Sequence, residues 1–337
     1  MKGALLNDPS KGQVCAFFAG IGTDDRFDGS HEKSFNKWDG GIFGWGLDGK
    51  VKQAYQFLCH AYQANDEVYL FGFSRGAYTA RSVAGMIRKC GIIDNPTPER
   101  INEAFKLCRC KGSQNSPDMP YIMAERKRLS PRFATSVKDF DCHCSGAIVK
   151  IAYVGVFDTV GASGMPPSLL GPLATAWNSQ NKFHYMALSS LVKSAGHALA
   201  IDEQRVFYVP VKWDNLDKQG FENGLNNGDI SAERQYQQIW FICDHGVIGD
   251  SAKEPPLSSI ALEWMLDGAK GLKLKRGVKF STTPSNPLYP LDRLTKKCKL
   301  FKKWWEGPMS DWELYPSTRK HVNALATYRP KSLHKIF

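Results

Sequence analysis

The sequence predicts an α/β fold in which a mainly parallel β-sheet is flanked by helices. Four runs of β-branched and aromatic residues are nearly continuous in apolar character, which is typical of strands buried on both faces of a parallel sheet. Segments with helical periodicity lie between these runs, so strands and helices alternate along the chain. With 337 residues, of which 42% are hydrophobic, the chain is long enough for one large domain over residues 1–337.

The strand predictions rest on short apolar runs. The four predicted strands are QVCAFF (13–18), EVYLFGF (67–73), VKIAYVGVF (149–157) and QQIWFIC (237–243). A fifth run, RVFYVPVKW (205–213), contains Pro210, which favours an edge strand or a break because proline cannot donate to a ladder.

Helices are predicted where apolar residues recur with helical spacing. The four predicted helices are Leu47–Tyr62, Ala77–Lys89, Ser189–Ala200 and Ser258–Lys270. Gly271 follows the last one and is expected to stop it. Such an alternation of strands and helices predicts right-handed crossovers between parallel strands.

Two stretches are predicted to be additions to this core. Residues 96–147 are polar and rich in Pro, Lys and Arg, which predicts an insertion, and residues 274–337 are basic and rich in Trp, which predicts a C-terminal cap. The net charge of +11 favours anionic partners. Nine cysteines without a regular framework favour a reducing compartment.

Two classes of segment are absent from the sequence. There is no apolar run near the length that a transmembrane helix needs. The N-terminus, MKGALLNDPSKG, has no apolar core of signal-peptide length. We therefore expect synthesis in the cytoplasm, with any export using a route that needs no cleaved signal.

A serine lies at the junction of a predicted strand and a predicted helix. The stretch Gly72-Phe73-Ser74-Arg75-Gly76 fits the pattern G-x-S-x-G, in which a strand turns sharply into a helix and the serine adopts a strained backbone. We expect glycine at both flanking positions, Gly72 and Gly76, to avoid clashes. The turn would lift the hydroxyl to the helix N-terminus, where the amide of Arg75 can stabilise an oxyanion.

Two further polar residues follow other predicted strands. Asp158 comes directly after the run 149–157, and His245 follows the run 237–243. Functional groups in open α/β sheets lie at the carboxyl ends of strands. The order Ser74, Asp158, His245 is the order of the triad in α/β-hydrolases, so these residues are predicted as nucleophile, acid and base.

Alternatives remain at each position. Ser74 could be a structural elbow in an inactive relative, Asp158 could begin a turn, and Asp202 is the fallback acid. Asp244 adjoins His245 but is expected to point the other way if strand alternation persists. The other histidines lie in a predicted helix, before that helix, before Asp158 or in the basic tail: His197, His184, His31, His60, His143, His321 and His334.

A second oxyanion donor is expected from a loop near the serine. Gly20, Ile21 and Gly22 follow the run 13–18 and could bring a bare amide close to the substrate, although an ordinary turn would have the same composition. The loop lacks the Lys-Ser/Thr of a phosphate-binding P-loop. No cofactor is predicted.

These stretches resemble α/β-hydrolases with a Gly-Phe-Ser-Arg-Gly signature, a family that includes the phospholipase effectors of bacterial type VI secretion. The resemblance is carried by FAGIGT (18–23), DEVYLFGFSRGAYTARSVAGMI (66–87), VGVFDTVGA (154–162), HALAIDEQR (197–205), PLSSIALEWML (256–266) and HVNALATYRPKSL (321–333). It implies an ester hydrolase acting on lipids, with Ser74, Asp158 and His245 at the family's triad positions.

The resemblance further implies a glycerophospholipid substrate, a role as a secreted antibacterial effector and an immunity protein as partner. Two alternatives remain: a soluble carboxylesterase, and an inactive hydrolase fold that serves as a basic binding module.

The sequence departs from this family in two places. The family opens with a strand leading into an Asp-Gly-Thr loop, and nothing before Gln13 supplies one. Its histidine loop usually reads Gly-Val-His-Ser-Asp-Val-Gly-Gly-Gly, whereas this chain has CDHGVIGDS (243–251), with Val247 in place of the aspartate. If that aspartate supports the histidine in relatives, the base must be oriented by other residues here.

The basic tail suggests a membrane partner. The segments LKLKRGVK (272–279) and KKCKLFKKWWEG (296–307) interleave Lys and Arg with apolar residues, as suits an anionic lipid surface. A solvated basic face with Trp304 and Trp305 packed inward is the alternative. No nucleic-acid partner is predicted, because no recognition motif accompanies these charges.

Four cysteines in the predicted insertion could supply soft metal ligands. They form two Cys-x-Cys pairs, which is not the usual zinc spacing, so no metal is predicted at Cys108, Cys110, Cys142 and Cys144.

Overall fold

The computed structural model describes residues 1, 3–19, 43–143, 146–160, 187–205, 208–217, 224–249, 255–276, 278 and 306–337. The strands are β1 Glu67–Phe73, β2 Phe133–Ala134, β3 Ala147–Ile148, β4 Lys150–Phe157, β5 Val192–Ala200 and β6 Tyr236–Phe241. The helices in these ranges are α1 Phe43–Ala61, α2 Arg75–Cys90, α3 Pro98–Arg109, α4 Pro120–Leu129, α5 His245–Ile248, α6 Pro255–Gly268 and α7 Pro316–Ala324.

A parallel sheet forms the centre of the described structure. Its strand order is β1-β4-β5-β6, and each neighbouring pair is parallel, whereas β2 and β3 form a separate pair. Val154 and Val156 of β4 join an apolar cluster with α1, α2 and α3, while Tyr153 and Phe157 join a second cluster with α6. Helices therefore cover both faces of the sheet, and the predicted α/β fold is confirmed.

Most of the predicted elements are confirmed with small shifts of their ends. Strands β1, β4 and β6 and helices α1, α2 and α6 lie where the apolar patterns predicted them. Helix α6 ends at Gly268, and Gly271 follows a short turn with a φ of 105°. In the described part of the run 205–213 there is no strand, and Pro210 forms only an isolated bridge with Val160.

The prediction of a strand over residues 13–18 is wrong. Residues 14–18 do not form a strand, and Gln13 forms an isolated bridge with Asp8. Val14 and Phe17 are 54% and 62% exposed, so this apolar run is not buried in the sheet. Apolar composition predicted a strand here, but a strand also needs a neighbour to satisfy its backbone groups.

The prediction of a helix over Ser189–Ala200 is also wrong, because this segment contains β5, in the middle of the sheet. Its small residues imitate a helix, since alanine has the highest helix propensity. Their role is to leave room for large neighbours. A Cβ atom on Gly196 would lie 2.2 Å from the hydroxyl oxygen of Tyr153, so only glycine fits beside that side chain.

The segment predicted as an insertion, 96–147, packs against the C-terminal half of α2. Lys89 is fully buried, and its Nζ donates to the carbonyl oxygen of Cys110 at 3.0 Å. Arg126 of α4 is also buried, and its Nε donates to Asp139 at 2.5 Å. The Nη1 atom of Arg126 also donates to the carbonyl oxygen of Arg88 in α2 at 3.2 Å, so the segment is tied to α2 by polar contacts as well as apolar ones.

The described part of the C-terminal segment lies at the β6 edge of the sheet. Leu314, Val322 and Leu333 pack with Leu199, Ile201 and Trp240. Within the described ranges, no helix combines the length and apolar character needed to cross a membrane.

Candidate active site

Three polar residues meet at the carboxyl ends of three parallel strands. Ser74 follows β1, Asp158 follows β4, and His245 begins α5 shortly after β6. The Nε2 atom of His245 lies 2.8 Å from the Oγ atom of Ser74. Its Nδ1 atom lies 2.7 Å from the Oδ2 atom of Asp158. The structure thus brings the three predicted triad residues together in one hydrogen-bonded line.

Ser74 occupies a sharp turn between β1 and α2. Its backbone has a φ of 57° and a ψ of −118°, a conformation that costs on the order of 1–3 kcal/mol for a residue other than glycine. The Ser74 amide donates to the carbonyl oxygen of Phe157 at 2.9 Å. This bond anchors the turn to the end of β4, next to Asp158.

The two glycines that flank the serine have different roles. A Cβ atom on Gly72 would lie 2.2 Å from the carbonyl oxygen of Gly76, so the turn excludes any side chain at position 72. A Cβ atom on Gly76 would have no neighbour within 4 Å. The expected clash is therefore absent at position 76, which already lies inside α2.

Asp158 is buried, and both its main chain and its side chain form hydrogen bonds with β5. Its φ is 41°, its amide donates to Ala198 at 2.8 Å, and its Oδ1 atom accepts from the Ala200 amide at 3.3 Å. Burial raises the pKa of Asp158, while the hydrogen bond and charge of His245 oppose that rise. The carboxylate has a fixed direction, towards the imidazole.

The contacts of His245 define which ring nitrogen carries the proton. A carboxylate accepts hydrogen bonds, so the Nδ1 atom that faces Asp158 is the donor, and Nε2 is left to accept from the Ser74 hydroxyl. Asp244 does not compete for the ring, because its side chain caps α5 by accepting from the Val247 amide at 2.9 Å. The arrangement has the geometry of a nucleophile, a general base and an orienting acid.

Three residues around His245 were not among the predicted site residues. Glu203 accepts a hydrogen bond from the His245 amide at 3.1 Å, and Arg205 donates to both carboxylate oxygens of Glu203 at 2.9 and 2.6 Å. The ring centroid of Tyr208 lies 4.4 Å from that of the imidazole. The available signal in the sequence was the pattern Glu-x-Arg, a charged pair directly after a buried strand.

Phe73 packs against His245 from the end of β1. Its ring centroid lies 4.7 Å from that of the imidazole. A Cβ atom on Gly249 would lie 2.3 Å from the Cζ atom of Phe73. This glycine therefore lets the residues after α5 approach the ring that contacts the imidazole.

The alternative acid and the nearest alternative base lie apart from this line. Asp202 accepts a hydrogen bond from the Tyr328 hydroxyl, whose oxygen lies 2.9 and 3.0 Å from the two carboxylate oxygens, and burial raises the pKa of Asp202 to about 7. His197 is fully buried in β5, where its Nε2 atom accepts from the Thr159 amide at 3.2 Å. Burial lowers the pKa of His197 to about 3, so this ring stays neutral in the core.

The other histidines that the structure describes do not enter the site. His60, His143 and His334 are exposed, and His321 is buried against Tyr328. His31 and His184 lie outside the described residues, as do the predicted oxyanion residues Gly20, Ile21 and Gly22.

Arg75 supplies the first amide of α2, and the opening amides of a helix have no acceptor within it. This amide follows directly after Ser74, where the predicted oxyanion donor was expected.

A cavity of about 170 Å³ lies elsewhere, lined by Arg81, Arg88, Leu188 and Trp213 among others, and no triad residue borders it.

Among the predicted cysteine ligands, Cys108 is buried, Cys110 and Cys142 are exposed, and Cys144 lies outside the described residues. In the described portion of the chain, no three His, Cys, Asp or Glu side chains are grouped so as to hold a metal ion.

Comparison with known proteins gives a family match. A family model described as the catalytic domain of Tle1-like phospholipase effectors of the type VI secretion system (T6SS) matches residues 3–268. This match confirms the resemblance seen in the sequence, and residues 269–337 lie beyond it.

Two relatives are uncharacterised. A protein of Saccharomyces cerevisiae is 26% identical over 208 residues, which cover 60% of this chain and 27% of that protein. A crystal structure of a protein from Pseudomonas aeruginosa is similar over 69% of this chain and 28% of that chain, with 17% identity and a TM-score of 0.30. This chain thus spans a little over a quarter of the length of each.

Proposed function

Because the chain belongs to the family of Tle1-like catalytic domains of type VI secretion phospholipase effectors, we propose that it hydrolyses acyl esters of glycerophospholipids. In this proposal Ser74 is the nucleophile, His245 the general base and Asp158 the acid that orients the base. The observation that carries the proposal is the hydrogen-bonded line in which His245 contacts Ser74 at 2.8 Å and Asp158 at 2.7 Å.

The first half of the reaction acylates the serine. The Oγ atom of Ser74 attacks the acyl carbonyl carbon while its proton passes to the Nε2 atom of His245. The carbonyl electrons move onto the oxygen, and the amide of Arg75 at the start of α2 is suited to stabilise that oxyanion. The tetrahedral intermediate then expels the glycerol-side oxygen, which takes the proton from the imidazolium.

The second half of the reaction releases the fatty acid. Water attacks the acyl-enzyme as His245 takes its proton, and the same proton then returns to Ser74 as the acyl–oxygen bond breaks. Asp158 stabilises the imidazolium in both halves through its contact with Nδ1. Delivery by type VI secretion and pairing with an immunity protein belong to the same proposal and are supported by family membership alone.

The test is release of free fatty acid from anionic phospholipid vesicles by the purified full chain and by Ser74→Ala. Ser231→Ala, at an exposed loop position, is the matched control for a lost hydroxyl. A short soluble ester is assayed in parallel. We expect release by the wild type and by Ser231→Ala, and its loss in Ser74→Ala.

The other outcomes separate the alternatives. Hydrolysis of the soluble ester without release from vesicles would replace the lipid substrate by a soluble ester. If neither substrate is hydrolysed by protein shown to be folded, the catalytic proposal is wrong and a binding function is left. Release that persists in Ser74→Ala would remove the serine from the mechanism.

We also propose that basic residues near the C-terminal segment contact an anionic membrane. Lys273, Lys275 and Arg276 are exposed around Leu274, which is itself 39% exposed. An apolar side chain among cations suits the boundary between headgroups and acyl chains. Together with the net charge of +11, this favours attraction to anionic lipids.

Vesicle co-sedimentation tests the membrane contact, with the Ser74→Ala background keeping the lipid intact. We expect binding to anionic vesicles that weakens with salt, and weaker binding when Lys275→Glu and Arg276→Glu are combined. Lys138→Glu with Lys193→Glu, both at exposed positions outside the C-terminal segment, makes the same change in net charge. If both pairs reduce binding equally, the effect is one of overall charge and the proposed surface is wrong.

A further inference from the structure

We propose that Glu203 is a positioning residue that holds His245 in its reactive orientation, and that Arg205 in turn fixes Glu203. This inference rests on the proposed role of His245 as the base. It addresses a departure visible in the sequence, since Val247 stands where the resembling family has an aspartate in the histidine loop.

Glu203 contacts the main chain of His245 rather than its ring. Its Oε2 atom accepts from the His245 amide at 3.1 Å, and this is the first residue of the four-residue helix α5. So short a helix has little stability of its own. A carboxylate bound to its first amide favours the start of the helix, and this contact fixes the backbone from which the imidazole projects.

Arg205 holds Glu203 in place through a bidentate pair. Its Nε and Nη2 atoms donate to the two carboxylate oxygens at 2.9 and 2.6 Å, and its amide also donates to Oε1 at 2.7 Å. Glu203 is only 4% exposed. Burial acts to raise the pKa of Glu203, but Arg205 outweighs burial and the pKa is lowered, so the contact with His245 is made by a carboxylate.

The same arginine supports the imidazole through an aromatic ring. The guanidinium carbon of Arg205 lies 4.2 Å from the ring centroid of Tyr208, and the Tyr208 ring lies 4.4 Å from the imidazole. A cation over an aromatic face and a packed pair of rings both favour one orientation. Arg205 therefore acts on the backbone of His245 through Glu203 and on its ring through Tyr208.

Glu203 is also coupled electrostatically to His245, since the charge of His245 is one of the causes that lower the pKa of Glu203. An anion in this place stabilises the positive charge that develops on the imidazole during the proposed reaction. The titratable and charged groups that interact electrostatically with Glu203 or with Tyr208 are His245, Asp158, Asp202, Arg205, Asp244 and Arg75. Replacing Glu203 alone leaves the others in place and isolates its contribution.

The test is a pH profile of steady-state hydrolysis by the full chain carrying Glu203→Gln. Glutamine keeps the size and one acceptor oxygen but loses the charge and the pair with Arg205. We expect kcat to fall about 10- to 100-fold, the range found for partners that orient metal-bound histidines, with KM unchanged within about twofold. We also expect the acid limb of kcat/KM to move to lower pH, because a negative charge has been removed from the site.

Two further variants complete the design. Glu125→Gln removes the matched ion pair with Arg128 on α4, where the atoms lie 2.8 Å apart, and is expected to leave kcat and the pH profile unchanged. Arg205→Lys keeps the charge of Glu203 but loses the bidentate contact. It is expected to lower kcat but to leave the acid limb of kcat/KM at the wild-type pH, unlike Glu203→Gln.

The outcomes distinguish this inference from the proposed function. If a fluorophosphonate that traps activated serines does not label wild-type Ser74, the triad itself is wrong. If labelling occurs but Glu203→Gln keeps the wild-type kcat and pH profile, the positioning role is wrong. If Glu203→Gln does not fold, a wild-type kcat in folded Arg205→Lys overturns the inference instead, as does an equal loss in Glu125→Gln.

Discussion

Tyr328 donates its hydroxyl to Asp202, with its oxygen 2.9 Å from Oδ1 and 3.0 Å from Oδ2. Tyr328 belongs to the C-terminal segment beyond the family match, whereas Asp202 follows β5 and directly precedes Glu203. The contact therefore joins that segment to the strand end that leads to the candidate site. Burial, with the charges of Asp244 and Glu203, raises the pKa of Asp202 to about 7, and only the bond from Tyr328 opposes the rise.

The first prediction is that Asp202 makes stability depend on pH. A carboxyl whose pKa is raised in the folded state stabilises the folded protein at low pH. This contribution is lost as pH rises from the pKa of 3.8 in the unfolded state through the pKa of about 7 in the folded state. Between about pH 5 and about pH 8 the loss corresponds to about 2–3 kcal/mol. Asp202→Asn removes the titrating group, so its free energy of unfolding should fall less over this range. Urea unfolding at both pH values measures the difference.

Tyr328→Phe is the opposing variant for this prediction. It removes the one contact that lowers the pKa of Asp202, so the loss of stability with pH should continue to higher pH than in the wild type. Parallel pH dependences of the wild type and Asp202→Asn would contradict the prediction.

The second prediction is that the glycines beside Ser74 are not equivalent. Gly72→Ala places a Cβ atom 2.2 Å from the Gly76 carbonyl oxygen. Relieving this clash requires a shift of the backbone, which is energetically costly. We expect a loss of stability of about 1–3 kcal/mol or more and a loss of fluorophosphonate labelling at Ser74. Gly76→Ala has free space around its Cβ and lies in a helix, where alanine is favoured by about 0.5–1 kcal/mol. In thermal unfolding, Gly76→Ala should therefore be at least as stable as the wild type. Equal losses of stability in both variants would contradict this interpretation of the turn.

The positions of Ser74, Asp158 and His245 could be predicted because each follows an apolar run that forms a strand. Parallel strands end at one edge of the sheet, so residues distant in sequence are expected to meet there. The position of Glu203 could not be found in this way. Its contact with the His245 amide depends on β5, and Ser189–Ala200 has the small residues and spacing of a helix. Because β5 was predicted as a helix, Glu203 and Arg205 were not recognised as residues that follow a strand end.

The run 13–18 shows a different limit of sequence reasoning. Its composition is as apolar as that of β1, yet β1 pairs with β4 over its whole length, while residues 14–18 do not form a strand. Pairing depends on which strands are adjacent, and a local pattern does not contain that information.

The third prediction concerns the close approach of β5 and Tyr153. Gly196→Ala places a Cβ atom 2.2 Å from the Tyr153 hydroxyl oxygen and 3.2 Å from Trp264, so we expect a loss of about 1–3 kcal/mol from overpacking. Tyr153→Phe removes the nearest atom, so the loss caused by Gly196→Ala should be smaller in that background. A double-mutant cycle of unfolding free energies measures this coupling, and additive losses would show that the hydroxyl does not set the constraint.

The fourth prediction separates the two candidate acids by the same conservative change. Asp158→Asn leaves the shape intact, but an amide that donates to Nδ1 forces the proton onto Nε2, which can then no longer accept from Ser74. The corresponding change in a serine protease triad lowers kcat about 10⁴-fold, and we expect a loss of about that order here. Asp202→Asn should retain activity within about tenfold, because Asp202 contacts Tyr328 and not the imidazole. Steady-state ester hydrolysis by both folded variants is the measurement, and a larger loss in Asp202→Asn would transfer the acid role to that residue.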